Sequence, residues 1–152
     1  MPAYIPSPRD WVREQVELYE KSGGTQGTTL RHSGLPVIIF THVGNKTGAI
    51  RKTPLMRVKD GANYILVGSV GGAPNNPVWV YNLRANPSVE IRDLTKVQNM
   101  RVREVTEDGE RAFTNCVCRS LLEVERVALV MNRGDVARSM LEQTIQLARQ
   151  TG

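Results

Sequence analysis

Cysteine, histidine, aromatics and long apolar runs are all scarce in this chain, and each scarcity removes a class of protein. The only cysteines, Cys116 and Cys118, stand two apart in the string NCVC. On a helix, residues two apart point to nearly opposite sides, so the pair neither bridges nor shares a metal and reads as packing. No metal is expected. Histidine occurs twice, at His32 and His42, far apart in sequence; either could donate a proton, but a surface position is the default expectation. No apolar run reaches the roughly 18 residues a membrane-spanning helix requires. The opening residues MPAYIPSPRDW lack the charged-then-apolar order of a secretory signal, so the expected compartment is the cytoplasm. Aromatics make up 5% of the residues. They are not interleaved with the cations and no recognition helix is evident, so nucleic-acid binding is the weakest reading of the charge.

What is present is an ordinary globular composition: 152 residues, 40% hydrophobic and 23% charged, with a net charge of +5 and a pI of about 9.6. That length suits a single domain burying roughly two-thirds of its unfolded surface, without metal or disulfide. The positive surplus biases the surface toward anions without naming one. A phosphorylated small molecule fits it, and so does peripheral contact with an anionic membrane; oligomeric state is not legible.

The pattern divides the chain at 1–34, 35–105 and 106–152. In RDWVREQVELYEKS (9–22), Trp11, Val12, Val16 and Tyr19 fall near helical spacing, with Gly23 and Gly24 as the stop. TQGTTLRHSG reads as a polar loop. LPVIIFTH (35–42) reads as a strand apolar on both faces, and KTPLMRVK (52–59) as a second. Asp60-Gly61 turns the second into a third, NYILVGSV (63–70), which has the look of a central strand. Three prolines and two glycines in 71–87 allow no more than one helical turn, over 78–84. SVEIRD and VQNMRVREV add strands whose inward residues are Val89, Ile91, Met100 and Val102. From Thr106 the periodicity becomes helical, through TEDGERAFTNCVCRSLLEVERVALVMNR and again, after Gly134, in DVARSMLEQTIQLARQ. The expected fold is α+β: a mainly antiparallel β-barrel with an N-terminal helix and C-terminal helices.

Two segments carry chemistry. FTHVGNKTGAIRKTPL places Lys46, Arg51 and Lys52 within seven residues, framed by Gly44 and Gly48. It is no P-loop, because Asn45 stands where a glycine must precede the lysine and Pro54 where a helix must follow. It is either a solvated basic turn or a loop whose glycines expose N–H groups as an anion nest, with Lys46 as point charge and Arg51 as planar fork. GSVGGAPNNPVWVYN has glycines that admit a close ligand, the hydroxyl of Ser69, the broad face of Trp79 and the amide of Asn82. Its plainer reading is a core tryptophan among turn-forming Asn-Pro pairs.

Together, GNKTGAIRKTPL and GSVGGAPNNPVWVYNLRANP, at this separation, resemble the deazaflavin-dependent nitroreductase family of actinobacteria, over roughly residues 4–105. The resemblance implies a split β-barrel of the FMN-binding-protein type. It also implies reduced coenzyme F420, an 8-hydroxy-5-deazaflavin with a phosphate and an oligoglutamate tail. Carried over by position, Asn45, Lys46, Thr47, Arg51, Lys52 and Thr53 match the residues that hold the phosphate and tail. Val67, Gly68, Ser69 and Val70 match the strand end beside the ring, and Val78, Trp79, Val80, Tyr81 and Asn82 the segment closing over it. The implied activity is hydride transfer to an electron-poor small molecule, a nitroaromatic, quinone or activated enone. Ser69, at a strand end where a serine more often caps a turn, is the candidate to polarise the acceptor. A carrier without turnover and an FMN-dependent oxidoreductase on a similar barrel are the alternatives. The chain departs from the family at Val80, where an aromatic is usual, and at Met56, where some members place a tyrosine. No tyrosine follows Tyr81, and the C-terminal residues do not spell the terminal strand the family has.

Overall fold

The computed structural model describes residues 1–31, 33–68, 75–105 and 126–131. His32, Ser69, Val70, Gly71, Gly72, Cys116, Cys118 and the helical segments expected over 106–125 and 132–152 lie outside the described residues. Helix α1 (Asp10–Lys21) presents Val12, Val16 and Tyr19 inward with Trp11 beside them, the face read from the sequence. Gly23 and Gly24 follow it with φ of +64° and +85°. At Gly24 no side chain fits, because a Cβ would lie 1.8 Å from the Leu94 carbonyl oxygen.

The strands are β1 (Thr29–Leu30), β2 (Leu35–Val43), β3 (Ile50–Met56), β4 (Lys59–Asp60), β5 (Asn63–Gly68), β6 (Ser88–Asp93), β7 (Lys96–Val105) and β8 (Arg126–Met131), with helix α2 (Val78–Ala85) between β5 and β6. Their hydrogen-bonded order is β1-β2-β6-β7-β8-β5-β4, and β3 pairs with β2 off this path. The short connection Arg57-Val58 carries the chain from β3, beside β2, to β4, beside β5, in the manner of a split barrel. The second expected strand is thus broken in two: Arg57 N–H bonds back to Pro36 and Ile65 N–H to Val58. The pairings are antiparallel except those of β8, which is parallel to both β5 and β7.

Two expectations need correcting. Residues 126–131, read as part of a helical segment, form strand β8. The run RVALVM is continuously apolar from Val127 to Met131. Such a run satisfies helical and strand periods alike, and a strand paired on both sides is the setting in which it occurs. The chain therefore has a late strand after all. Helix α2 spans two turns rather than one, because its prolines stop short of it at Pro77 and its inward residues bury deeply.

β2 is the partition of the molecule. Its pleat sends Ile38 and Phe40 into the main core with Tyr64, Leu66, Val80, Leu83, Val89, Ile91 and Met100. The alternate residues Val37 and Ile39 go under α1, against Val12, Val16 and Tyr19. Tyr19 ties the two layers together: its hydroxyl donates to the Val37 carbonyl (3.2 Å) and accepts the Leu94 N–H (2.6 Å). Leu94 has φ of +55°, a costly conformation for a leucine that this contact helps to hold. We expect Tyr19→Phe to lower unfolding free energy by about 1–3 kcal/mol, since it orphans a buried donor and acceptor. An unchanged urea midpoint would contradict that role.

Candidate functional site

The basic loop spans the turn between β2 and β3. Gly44 N–H donates to the Ala49 carbonyl (2.8 Å) and Gly48 N–H to the Gly44 carbonyl (2.8 Å). Ala49 N–H donates to Thr47 Oγ1 (3.3 Å), and Asn45 N–H to Asn82 Oδ1 (2.9 Å). The glycines' N–H groups are thus committed within the chain, which corrects the expectation of an anion nest at these glycines. They serve the tight turn instead: Gly48 has φ of +65°, and a Cβ on Gly44 would strike the Thr47 hydroxyl.

The three cations do not form one cluster. The strand begins at Ile50, so Arg51 and Lys52 are successive residues of a pleat and point to opposite faces. The register sets Arg51 opposite His42 and Lys52 opposite Thr41. Lys52 lies on the α1 side, where its ammonium meets both Glu20 carboxylate oxygens (2.6 and 2.7 Å) and stands 4.9 Å from the Tyr4 ring centroid. Arg51 and Thr53 share the inner face, and Lys46 is exposed at the tip. Arg51 reaches the Ile5 carbonyl at 3.4 Å. At this end of the sheet, then, Lys46 stands exposed on the turn and Arg51 on the inner face of β3, while Lys52 is neutralised on the opposite face.

Below the loop lies a chain of polar groups centred on the buried Asn82 and His42. Asn45 N–H can only donate, so the carboxamide atom facing it is Oδ1 and the one facing His42 is Nδ2. Asn82 Nδ2 accordingly donates to His42 Nδ1 (3.4 Å), which places the imidazole proton on Nε2, donating to Thr53 Oγ1 (3.3 Å). The ring stacks on Phe40 with centroids 5.0 Å apart. His42 is 3% exposed, which corrects the expectation of a surface histidine. Strand alternation with Phe40 was the signal available for that burial. Desolvation first, and then the Arg51 charge, push its pKa down to about 4.

The remaining candidates divide. In α2, Trp79, Val80 and Asn82 face inward, and Trp79 meets Phe40 edge-on at 5.3 Å. Val78 and Tyr81 face solvent, the Tyr81 ring lying 5.6 Å from the Arg84 guanidinium carbon. Gly68 is buried at the end of β5, and its Cα side is filled by α2: a Cβ there would lie 3.1 Å from Val80 and 3.3 Å from Pro77. That glycine seats a helix; Val67 beside it is half-buried. Glu20, which sequence reasoning passed over, decides the fate of Lys52, and nothing local could reveal a pairing 32 residues distant. A second polar group, Arg57, Tyr64, Asp93 and Gln98, sits at the other end of the sheet, Asp93 accepting from both the Arg57 guanidinium (3.3 Å) and the Tyr64 hydroxyl (2.8 Å). Among the described residues no group of three or more His, Cys, Asp or Glu could hold a metal. No helix among them is long and apolar enough to cross a membrane.

The model of the F420H(2)-dependent quinone reductases matches residues 11–126. The chain belongs to that family. It is 41% identical over 81 residues to an F420H(2)-dependent quinone reductase of Mycobacterium tuberculosis, covering 53% of this chain and 53% of that protein. It thus spans about half the length of the curated relatives it matches. Among solved structures, an F420-H2 dependent reductase shares 39% identity over 54% of this chain and 74% of that one, with a TM-score of 0.46. A second, described as a domain-swapped dimer, shares 39% identity over 73% of this chain and 81% of that one, with a TM-score of 0.49. FMN, the alternative cofactor, finds no support in these names.

The side chains at this end of the sheet suit a polyanionic ligand: the Lys46 ammonium and the Arg51 guanidinium, with hydroxyls at Thr47 and Thr53. Two expectations follow. His42 has a folded pKa below its unfolded value near 6.5, so the unfolded chain takes up the proton first. Its contribution is present above about pH 6.5 and is lost as pH falls toward 4, about 3 kcal/mol in all. Urea titrations should show that acid-side loss in the wild type and less of it in His42→Phe; equal slopes would refute it. Trp79→Ala should cost about 3–5 kcal/mol by leaving a cavity against Phe40, so wild-type melting would contradict a core role.

Proposed function

We propose that the chain is a deazaflavin-dependent reductase that delivers a hydride from reduced coenzyme F420 to an electron-poor small molecule. A quinone is the first choice, with nitroaromatics and activated enones of the same chemical type. The observation that carries this reading is the family match over 11–126. The geometry supports it: Lys46 and Arg51 flank one end of the sheet, beside a preformed turn and the buried face of α2.

When bound, the coenzyme supplies two-electron hydride chemistry; the protein supplies binding, orientation and exclusion of water. Lys46 and Arg51 neutralise the phosphate and acidic tail, Arg51 as a planar fork and Lys46 as a mobile point charge. Asn45, Thr47 and Thr53 complete the tail-binding turn with short polar groups, while Lys52, committed to Glu20, anchors the strand from behind. Val67 and Gly68 lead the strand toward the ring, with Ser69 and Val70 next in the chain. Trp79, Val80 and Asn82 form the rigid wall behind that strand end, and Val78 and Tyr81 remain on the open side of α2 to meet ligand or acceptor. Holding the two reactants in register can supply several kcal/mol of the barrier, about 7–11 at most.

Quenching of deazaflavin fluorescence on adding protein is the decisive binding test, and stopped-flow mixing with the reduced coenzyme and a soluble quinone tests turnover. Lys46→Ala and Arg51→Ala should each weaken binding by about 1–3 kcal/mol. Lys52→Ala should leave the affinity near wild type, because that charge is already paired on the far face. Full affinity in the first two variants sinks the assignment. Binding without oxidation of the coenzyme beyond the protein-free rate would select a carrier instead.

A further inference from the structure

Two features of the molecule stand outside the reading just given. The Arg57–Asp93–Tyr64–Gln98 group is linked by its own hydrogen bonds at the other end of the sheet. The buried His42 and its hydrogen bonds differ from it, because they connect the core directly to the turn that carries Lys46.

We propose that His42 is a positioning residue: by accepting from Asn82 it locks the carboxamide whose oxygen holds the Asn45 N–H, and so fixes the turn that presents Lys46 and Thr47 to an anionic ligand. The inference rests on the deazaflavin reading for the identity of the ligand, but the lock itself is a property of the free protein.

Asn82 lies on α2 and His42 on β2, 40 residues apart in sequence, and both are buried. A carboxamide has two nearly isosteric ends, and packing alone distinguishes them poorly. Its orientation is decided by what each end meets. Here one end meets a backbone N–H and the other an imidazole nitrogen, so the acceptor state of Nδ1 selects the orientation that satisfies the loop. Reversing the carboxamide would set its NH2 against the Asn45 N–H. The imidazole is held in turn by stacking on Phe40 and by Nε2–H donating to Thr53. Burial first, and then the charge of Arg51 opposite it in the register, keep the ring neutral and hence able to accept. The turn's own hydrogen bonds, Gly44 to Ala49 and Gly48 to Gly44, set its shape. Asn45 N–H to Asn82 is the contact that fixes this turn relative to α2.

The test compares wild type, His42→Phe and His42→Gln. Phenylalanine keeps the stack on Phe40 but removes the acceptor; glutamine can again accept from Asn82 and donate to Thr53. In the free protein, hydrogen exchange at the Asn45 amide should accelerate about five- to tenfold in His42→Phe and return toward wild type in His42→Gln. Fluorescence titration with deazaflavin should show Kd raised by a similar factor in the Phe variant and restored by Gln. Nitrogen NMR of the wild-type imidazole needs no variant to fold: it should report a proton on Nε2 and a bare Nδ1 at pH 7. A proton on Nδ1, or wild-type exchange and Kd in His42→Phe, overturns the lock. Should wild-type protein ignore deazaflavin altogether, the functional reading falls, while the exchange and tautomer measurements still decide this one.

Discussion

The pleat of β2 and β3 is the constraint on which the remaining features depend. Successive residues of a strand face opposite ways, and directly paired residues on neighbouring strands face the same way. With Phe40 opposite Thr53 and His42 opposite Arg51, one side of this hairpin becomes the inner face, and Thr41 with Lys52 the outer. The inner face runs from pure hydrocarbon at Ile38 to a polar end at His42 and Arg51. The outer face is covered by α1 and ends at the Lys52–Glu20 pair. A one-residue slip would bury Lys52 in the main core and turn Phe40 under the helix. The alternation of large apolar residues on both sides of β2 makes that slip too costly to occur, so the placement of charge at the loop is fixed by hydrophobic packing several residues away.

From this follows how the loop tolerates its charge. Two of the three cations would repel if they shared a face. Instead Lys52 is drawn to Glu20, both partly shielded from water and joined through two short contacts, a geometry in which an ion pair holds better than an exposed single contact. The charge left for a ligand is that of Lys46 and Arg51. Since the glycine amides of the turn are satisfied internally, an anion bound here would be met by side chains. Such contacts are longer-ranged and more salt-sensitive than a cradle of fixed amides.

Much of this was legible in the sequence, for reasons that can be named. α1, β6 and β7 have clear periods, and the sequence alone gives their inward residues, among them Val16, Ile91 and Met100. The family resemblance rested on long strings, and the family match agrees with it. What escaped reading was non-local or ambiguous. RVALVM fits two periods, and only pairing with β5 and β7 decides between them. Arg51 and Lys52 were grouped because the strand was begun at Lys52 instead of Ile50; starting it two residues earlier separates them by alternation alone. His42 falls at i+2 from Phe40, which predicts an inward position, but its partner Asn82 lies 40 residues away on a helix whose length the surrounding prolines obscure. Gly68 looked like room for a ligand and proved to be room for Pro77 and Val80.

That last exchange bears on how such a site can bind at all. A flexible glycine-rich loop would have to be ordered by its ligand, at a cost of about 1–2 kcal/mol for each residue fixed. Here the turn from Gly44 to Ala49 already has its hydrogen bonds, β5 ends against a packed helix, and α2 is held by Trp79, Val80 and Leu83 in the core. For these described residues the ordering is done by folding. The preorganisation depends on a small number of polar contacts, among them the Asn45–Asn82–His42–Thr53 series, which crosses from loop to helix to sheet. A polar series of this kind adds little to net stability, yet it specifies one arrangement among several of similar packing, which is what a site for a multiply charged ligand requires.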